Sequence, residues 1–256
     1  MLFRSWRTIF IVLGAVTLIV ALGIAWRVPD IQHPSHPPGF ASQWVGVRQI
    51  FANPRFWWIA PLAGFGMGSF MAIQGLWAVP WMIDVDGMTR ADAADRLLVL
   101  GIVIMLGYLG LGMFSSRLAK RGITPRHLFA AGFAMHTVAL AAILAAIPGS
   151  YVWWSLYGMG AAVNVLSFTV LSTGFAKEFV ARANTALNLL MFTGSFVTQW
   201  GIGVIAEVSR ERLGFDNAGG LKLAFAVVLA LDALTLVWFA YGWRRHGRLA
   251  PVTAAA

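Results

Sequence analysis

The stretch LLVLGIVIMLGYLGLGMF, residues 97–114, runs for eighteen residues without a formal charge. A helix needs roughly 20 mostly apolar residues to cross a hydrocarbon core of about 30 Å, so this stretch predicts a transmembrane span. Seven such spans are predicted along the chain: Thr8–Trp26, Trp57–Trp81, Leu97–Phe114, Leu128–Ile147, Tyr151–Phe175, Thr185–Ala206 and Leu221–Trp243. The fold class predicted from them is an all-α membrane protein, a multi-span helical bundle.

The composition supports this class. Hydrophobic residues make up 59% of the chain, charged residues 11%, and the mean hydropathy is +0.74. A soluble globular domain carries about 25% charged residues, so that class is excluded. A transmembrane β-barrel would show alternating segments of about 10 residues instead. The chain has no cysteine, which excludes disulfides and thiolate metal sites.

The net charge of +9 is explained by topology. With the C-terminus inside, the predicted cytoplasmic segments total +10, and the external segments, which include Lys222 at the start of the last span, total zero. Asp232 is the one charge in the interior of a span. Cytoplasmic segments of membrane proteins carry the excess of Lys and Arg. We therefore expect the chain to contact a lipid bilayer and not to bind nucleic acid. We expect it to lie in the plasma (bacterial inner) membrane with its C-terminus in the cytoplasm.

The N-terminus departs from this pattern. Arg4 and Arg7 precede the first span and by themselves would hold that end inside, whereas the later segments require it outside. This conflict favours a first helix that evolved in the interior of a longer chain. The alternative is a cleaved signal peptide with small residues near Ala21–Gly23, although an apolar run of about 19 residues is long for one.

The predicted organisation has four parts: a first span at 1–28, a cytoplasmic linker at 29–55, a six-span region at 56–248 and a cytoplasmic tail at 249–256. The linker contains His33-x-x-His36, but no Cys or carboxylate pair completes a metal site there. A polar loop is therefore the better interpretation of that pair, and we expect no metal.

Enzyme motifs are missing from the sequence. It contains no G-x-x-x-x-G-K-[ST], H-E-x-x-H or G-x-S-x-G. Gly201–Ala206 matches the dinucleotide pattern G-x-G-x-x-A, but it lies inside an apolar span with no strand before it, so its glycines indicate helix packing. We expect no enzymatic activity, no catalytic residues and no cofactor.

The second span carries polar and aromatic residues at spacings of 4, 3 and 4, which keeps them within a narrow arc of a helix. They are Phe70, Gln74, Trp77 and Trp81. Small residues fall on the opposite side: Gly64, Gly68, Ala72 and Gly75. An amide between aromatic rings suits a cavity for a small organic molecule, so Gln74 and Trp77 are predicted substrate-binding residues. Alternatively, Gln74 ties two helices together and Trp81 belongs to the interfacial aromatic belt.

The sixth span carries a similar row of mostly polar residues. The row comprises Asn184, Asn188, Met191, Ser195 and Gln199. Polar groups facing lipid are costly, so they must face protein or water. Asn188, Ser195 and Gln199, together with Asn164 and Ser167 of the fifth span, are predicted to bind substrate. Interhelical hydrogen bonding is the alternative for each.

Two ionisable residues lie in the middle of spans, His136 and Asp232. A central carboxylate costs roughly 2.5–3.5 kcal/mol on insertion scales, and such residues commonly mark ion or proton pathways. We predict a possible ion-coupling role for both. The alternative is that each fastens helices, and no sequence feature brings the two together.

Three segments resemble the C-terminal half of a major facilitator superfamily transporter: QGLWAVPW at 74–81, GMFSSRLAKRG at 112–122 and RANTALN at 182–188. The second is similar to the family's cytoplasmic loop pattern G-x-x-x-D-R-x-G-R-R, and it keeps the basic residues Arg117, Lys120 and Arg121. Ser116 and Ala119 stand where the family has an acid and a second glycine. A gating role that depends on that acid is therefore not expected here.

The resemblance implies two six-span halves, each built from inverted three-helix repeats. On that map the first span corresponds to the sixth of twelve, and the other six spans form the second half. The second and fifth spans become counterparts that line the pathway, which strengthens Gln74 and Asn164. The last helix of each triplet is peripheral, which weakens His136 and Asp232.

The resemblance thus implies a secondary active transporter of a small organic solute, driven by an ion gradient, in a partial chain that lacks the N-terminal half. Its partner would be the missing half or a second copy. A start placed too late, a remnant of a disrupted gene and a half-transporter that pairs with another chain are the three explanations. A non-transporting membrane interaction protein is the alternative from another functional class.

Overall fold

The computed structural model describes residues 6–27 and 40–246, and within these ranges all regular structure is helical. The helices are α1 (Trp6–Arg27), α2 (Phe40–Ala52), α3 (Pro54–Ala72), α4 (Ala78–Asp84), α5 (Arg90–Lys120), α6 (Pro125–Leu144), α7 (Ser150–Ala162), α8 (Val165–Ser172), α9 (Lys177–Leu213) and α10 (Asn217–His246). A π-helical turn, Ile73–Trp77, joins α3 to α4. Arg4, the His33 and His36 pair, and the predicted tail lie outside the described residues.

Seven helical stretches in the described part are long and apolar enough to cross a membrane, which confirms the predicted span number. The second span combines α3, the π turn and α4, and the fifth combines α7 and α8. The fourth span begins and ends three residues earlier than predicted: its helix is Pro125–Leu144, and Ala146 has a φ of 51°. The protein is therefore a multi-pass helical membrane protein.

The chain forms two compact units, Met1–Gln43 and Trp44–Ala256. Within the first unit α1 is a single helix whose described side chains are nearly all exposed. The second unit contains the remaining six spans. Helix α2 lies in the stretch predicted as a linker, so at least residues 40–52 of that stretch are helical.

Helices α3, α5 and α6 begin with sequence-encoded caps. The Asn53 side chain accepts from the Arg55 backbone N–H at 2.9 Å, and Pro54 follows as the first helical residue. Thr89 accepts from the Asp92 backbone N–H at 3.2 Å. Thr124 and His127 form a capping box at the start of α6. Caps of this kind satisfy backbone donors that a helix leaves unpaired at its first turn.

The second and sixth spans pack through glycine. An ideal Cβ on Gly68 would lie 2.5 Å from the carbonyl carbon of Gly194, and one on Gly194 would lie 2.5 Å from the carbonyl oxygen of Gly64. Gly64 in turn lies beside Leu190. Only glycine allows such an approach, so the predicted role of the small-residue face in helix contact is confirmed at Gly64 and Gly68. The matching order of contacts shows that the two spans run parallel.

Two clusters of buried hydrophobic residues form the core of the second unit. One lies towards the α3 start and the α10 end, where the Trp58 and Phe239 rings stack at 5.3 Å. The other lies towards the α4 end and the α10 start, where Trp81 stacks on Phe225 at 4.4 Å. The polar residues described below lie between these clusters or on the bundle surface.

Candidate functional site

The second span departs from α-helical geometry at the residues predicted to bind substrate. Gln74 and Trp77 both belong to the π turn Ile73–Trp77. A π turn inserts extra backbone into a helix and often occurs at functional sites. Both side chains are half-buried, whereas Leu76 between them is 50% exposed.

The fifth span is interrupted at another predicted residue. Helix α7 ends at Ala162 and α8 begins at Val165, so Val163 and Asn164 form the break. Asn164 is 4% exposed, and its amide donates to the Met191 sulfur at 3.3 Å. Its Oδ1 atom has no hydrogen-bond partner among the described residues. Ser167 is fully buried beside it and donates to the Asn164 carbonyl oxygen at 2.6 Å.

The two irregularities occupy equivalent places. Gln74 lies about two thirds of the way along its span and Asn164 about three fifths along its own, each counted from the helix start. Each amide thus lies where its helix departs from regular α-helix. Broken or irregular helices at such depth are tolerated where backbone is buried in protein or lines a cavity.

The predicted row on the sixth span meets the π turn at one end only. The Trp77 indole N–H donates to the Gln199 carbonyl oxygen at 3.0 Å, and its ring lies beside Gly203. The parallel register that pairs Trp77 with Gly203 places Asn188 about 18 Å below Gln74 along the helix axis, at 1.5 Å per residue. Gln74 and Asn188 therefore do not lie at the same depth.

Burial divides the predicted residues into two groups. Asn188 is exposed on the bundle surface, and Gln74, Trp77, Ser195 and Gln199 are half-buried. Asn164 and Ser167 lie in the interior. The first group thus reaches the surface of the bundle, whereas the second is enclosed by protein.

The aromatic face predicted for the second span is not continuous. Phe70 is 5% exposed and its ring lies 5.5 Å from that of Tyr157, while Trp81 is fully buried against Phe225. A constant 100° per residue does not hold through the π turn, so Trp81 no longer follows Gln74 and Trp77 on one arc. That single-face prediction is wrong for Phe70 and Trp81.

The structure brings together two ionisable residues that the sequence left apart. Nε2 of His136 lies 3.6 Å from Oδ2 of Asp232, and the two residues are 0% and 1% exposed. The rings of Phe70, Phe133 and Tyr157 surround the imidazole, with the Tyr157 ring stacked at 4.1 Å. The pair lies inside the six-span unit and is not on its surface.

Hydrogen bonding defines the proton positions on His136. Nδ1 lies 3.0 Å from the Tyr157 carbonyl oxygen. A carbonyl only accepts, so Nδ1 carries a hydrogen and donates it. Nε2, which faces Asp232, is then protonated only in the imidazolium form.

Ser69 lets the carboxyl group exist in two forms. Its Oγ lies 3.0 Å from the Gly66 carbonyl oxygen and 3.1 and 3.2 Å from the two Asp232 oxygens. A hydroxyl donates one proton. When Asp232 is ionised, Ser69 donates to its carboxylate. When Asp232 is protonated, its carboxyl donates to Ser69, and Ser69 donates to the Gly66 carbonyl oxygen. One proton shared by His136 and Asp232 leaves the pair without net charge, as an apolar interior favours.

Sequence reasoning missed Ser69 and Tyr157 as members of this cluster. Isolated Ser and Tyr residues in apolar spans carry no distinctive pattern, and only the packing of α3, α6, α7 and α10 brings these four residues together. The described residues contain no group of three or more His, Cys, Asp or Glu suited to a metal.

The residues expected in the basic loop lie on a helix end. Arg117 and Lys120 belong to the last turn of α5, Arg121 caps it, and Gly122 has a φ of 82°. All three basic side chains are exposed. Positive charge at a helix C-terminus is favourable.

Seven apolar helical spans in the described residues and glycine-mediated helix packing define a multi-pass helical membrane protein. The family model described as Major Facilitator Superfamily matches residues 1–199. The chain belongs to this superfamily.

Solved structures show the same fold. Two are of a bacterial homolog to the human lysosomal transporter Spinster, one inward-facing and unoccupied, the other inward-facing and occupied. Both have a TM-score of 0.59, with 16% and 17% sequence identity, over 98% of this chain and 61% and 60% of theirs. The chain thus spans about three fifths of the length of these structures. A comparison with curated proteins by sequence gives no match.

Proposed function

We propose that this chain forms one of the two moving bodies of a secondary active transporter for a small organic solute. The carrying observation is the pair of matched irregularities in counterpart spans, each holding an amide. Backbone that departs from regular helix at mid-membrane is a feature of transporter binding sites. Superfamily membership supports the same class of function.

The proposed solute site lies on the bundle surface near the π turn. Gln74 offers an amide, Trp77 an apolar ring and Ser195 and Gln199 further polar groups, all of them half-buried. A second body is proposed to close over this surface, because half-buried polar groups are costly against lipid. It would come from the same protein, from another chain or from a second copy.

The proposed coupling group is the His136 and Asp232 pair. Its carboxyl is able to take up and release a proton with Ser69 adjusting its hydrogen bond. Because loss or gain of a proton leaves net charge in an apolar interior, the protonation state is proposed to be linked to a change in helix packing. This pair favours protons as the coupling ion.

The proposed setting is the plasma (bacterial inner) membrane with a cytoplasmic C-terminus. The distribution of Lys and Arg supports this orientation. The described ends of α5 and α10 and the starts of α3 and α6 would then share the cytoplasmic side.

The test is transport by the protein expressed from its own locus with native flanking DNA, so that any further span is retained. Cells with and without the gene are compared over a panel of labelled small organic solutes, with and without a protonophore. We expect gene-dependent, saturable flux that the protonophore abolishes. If the protein is present in the membrane but no solute of the panel shows gene-dependent flux, the proposal is contradicted.

A further inference from the structure

We propose that a pocket at the proposed cytoplasmic end of the bundle binds the anionic headgroup of a membrane phospholipid. The pocket has a volume of about 490 Å³ and lies where α6 begins and where α8 and α10 end. That volume falls within the range of about 300–1,000 Å³ typical of ligand sites. The inference does not depend on transport, and it concerns none of the residues assigned to solute or proton.

Positive charge lines one wall of the pocket. The Arg126 guanidinium lies 4.9 Å from the Trp58 ring centre and 5.5 Å from that of Trp243. Arg55 is close enough for the two guanidinium groups to interact electrostatically, and its side chain passes Gly174 at the end of α8. None of the described lining residues is an Asp or Glu.

Hydrogen-bonding groups complete the lining. Thr124, Thr169 and Thr173 contribute hydroxyls. The Thr124 and Thr173 hydroxyls bond to His127 Nδ1 at 2.7 Å and to the Val170 carbonyl oxygen at 2.8 Å. The exposed Thr169 hydroxyl has no hydrogen-bond partner among the described residues. A phosphate group accepts from hydroxyl and guanidinium donors alike.

The position favours a lipid over a soluble anion. The pocket is edged by tryptophan, a residue enriched at the membrane interface, and its Val170 is buried in the apolar core. Arg126 belongs to the first turn of a membrane-spanning helix. Basic pockets between transmembrane helices on the cytoplasmic side suit anionic headgroups, whose acyl chains then lie along the bundle.

The test is native mass spectrometry of the protein purified from its own locus, titrated with phosphatidylglycerol or with zwitterionic phosphatidylcholine. We expect selective retention of phosphatidylglycerol, and about five-fold weaker retention in Arg126→Ala because one interfacial charge is lost. Lys120→Ala is the matched control, since it removes a positive charge from the same end of the bundle without touching the pocket. Equal loss in both variants would overturn the proposal.

Arg126 also packs on two indoles, so a second variant keeps the test decisive if Arg126→Ala unfolds. Thr169→Val preserves shape and removes the exposed hydroxyl, and we expect about two- to ten-fold weaker phosphatidylglycerol binding. If Arg126→Ala folds and its phosphatidylglycerol binding is unchanged, the lipid site is refuted. If Arg126→Ala does not fold, unchanged phosphatidylglycerol binding by Thr169→Val refutes the site. Displacement of the lipid by millimolar inorganic phosphate would instead assign the pocket to a soluble anion.

Discussion

Nε2 of His136 lies 3.6 Å from Oδ2 of Asp232, across an interface between α6 and α10 that brings together residues far apart in the sequence. Both side chains are essentially inaccessible to solvent. A buried acid and base that share one proton are a candidate coupling device, and also a candidate structural fastener.

We expect Asp232→Asn to abolish proton-driven accumulation of solute while membrane levels stay near normal. Asn keeps the shape and a hydrogen bond to Ser69 but cannot exchange a proton. The measurement is accumulation in cells at two external pH values, with Asp84→Asn, an exposed residue at the α4 end, as control. Loss of the protein from the membrane without a selective transport defect would show that the pair fastens helices.

Replacing the proposed solute-binding amides should weaken transport selectively. A lost hydrogen bond to solute is worth on the order of 1 kcal/mol, a few-fold in apparent affinity. We expect this change in Gln74→Ala and a comparable one in Gln199→Ala, read as a raised half-saturating solute concentration. Thr185→Ala on the exposed part of α9 is the control. Unaltered affinity in both amide variants would remove them from the solute path.

Replacing Gly68 with alanine should destabilise the protein, whereas replacing Gly75 should leave its stability nearly unchanged. A Cβ at Gly68 would meet the Gly194 backbone at 2.5 Å, but a Cβ at Gly75 has nothing within 4 Å. We expect Gly68→Ala to destabilise the protein by about 1–3 kcal/mol and Gly75→Ala to change stability by less than about 0.5 kcal/mol. Thermal unfolding in detergent measures both. Equal effects would contradict the close approach of the second and sixth spans at Gly68.

The orientation predicts the position of reporters. A reporter fused after Arg248 should be active only in the cytoplasm, and one inserted between Asp84 and Arg90 only outside. Five spans lie between the two positions, and this odd number, together with the charge distribution, supports opposite sides. Both reporters on one side would overturn the assignment of the third span through the last.

Residues 1–256 reconstituted alone should show no saturable uptake above empty vesicles under a proton gradient. The proposed solute site uses a surface whose half-buried amides need a covering body, and lipid cannot supply it. We expect the chain alone to aggregate or to pair with itself. Saturable, gradient-dependent uptake would point to a working homodimer.

The span number, the helical class and the superfamily could all be predicted from the sequence. The span number and the helical class rest on local composition: the eighteen uncharged residues at 97–114 must form a helix in lipid, because the backbone has no other hydrogen-bond partner there. The superfamily rests on the three segments at 74–81, 112–122 and 182–188. The caps at Asn53, Thr89 and Thr124 also act within a few residues. The helix at 40–52 was missed because its polar and apolar residues lack the length of a span.

The contacts between helices could be identified only from the folded structure. His136 and Asp232 meet because α6 and α10 pack together, and no spacing along the chain records that contact. The π turn that contains Gln74 and the break at Asn164 are likewise absent from the sequence pattern, and the π turn takes Trp81 off the face that a regular helix predicts. Helical periodicity describes one helix in isolation, whereas a buried polar site is formed by several helices at once.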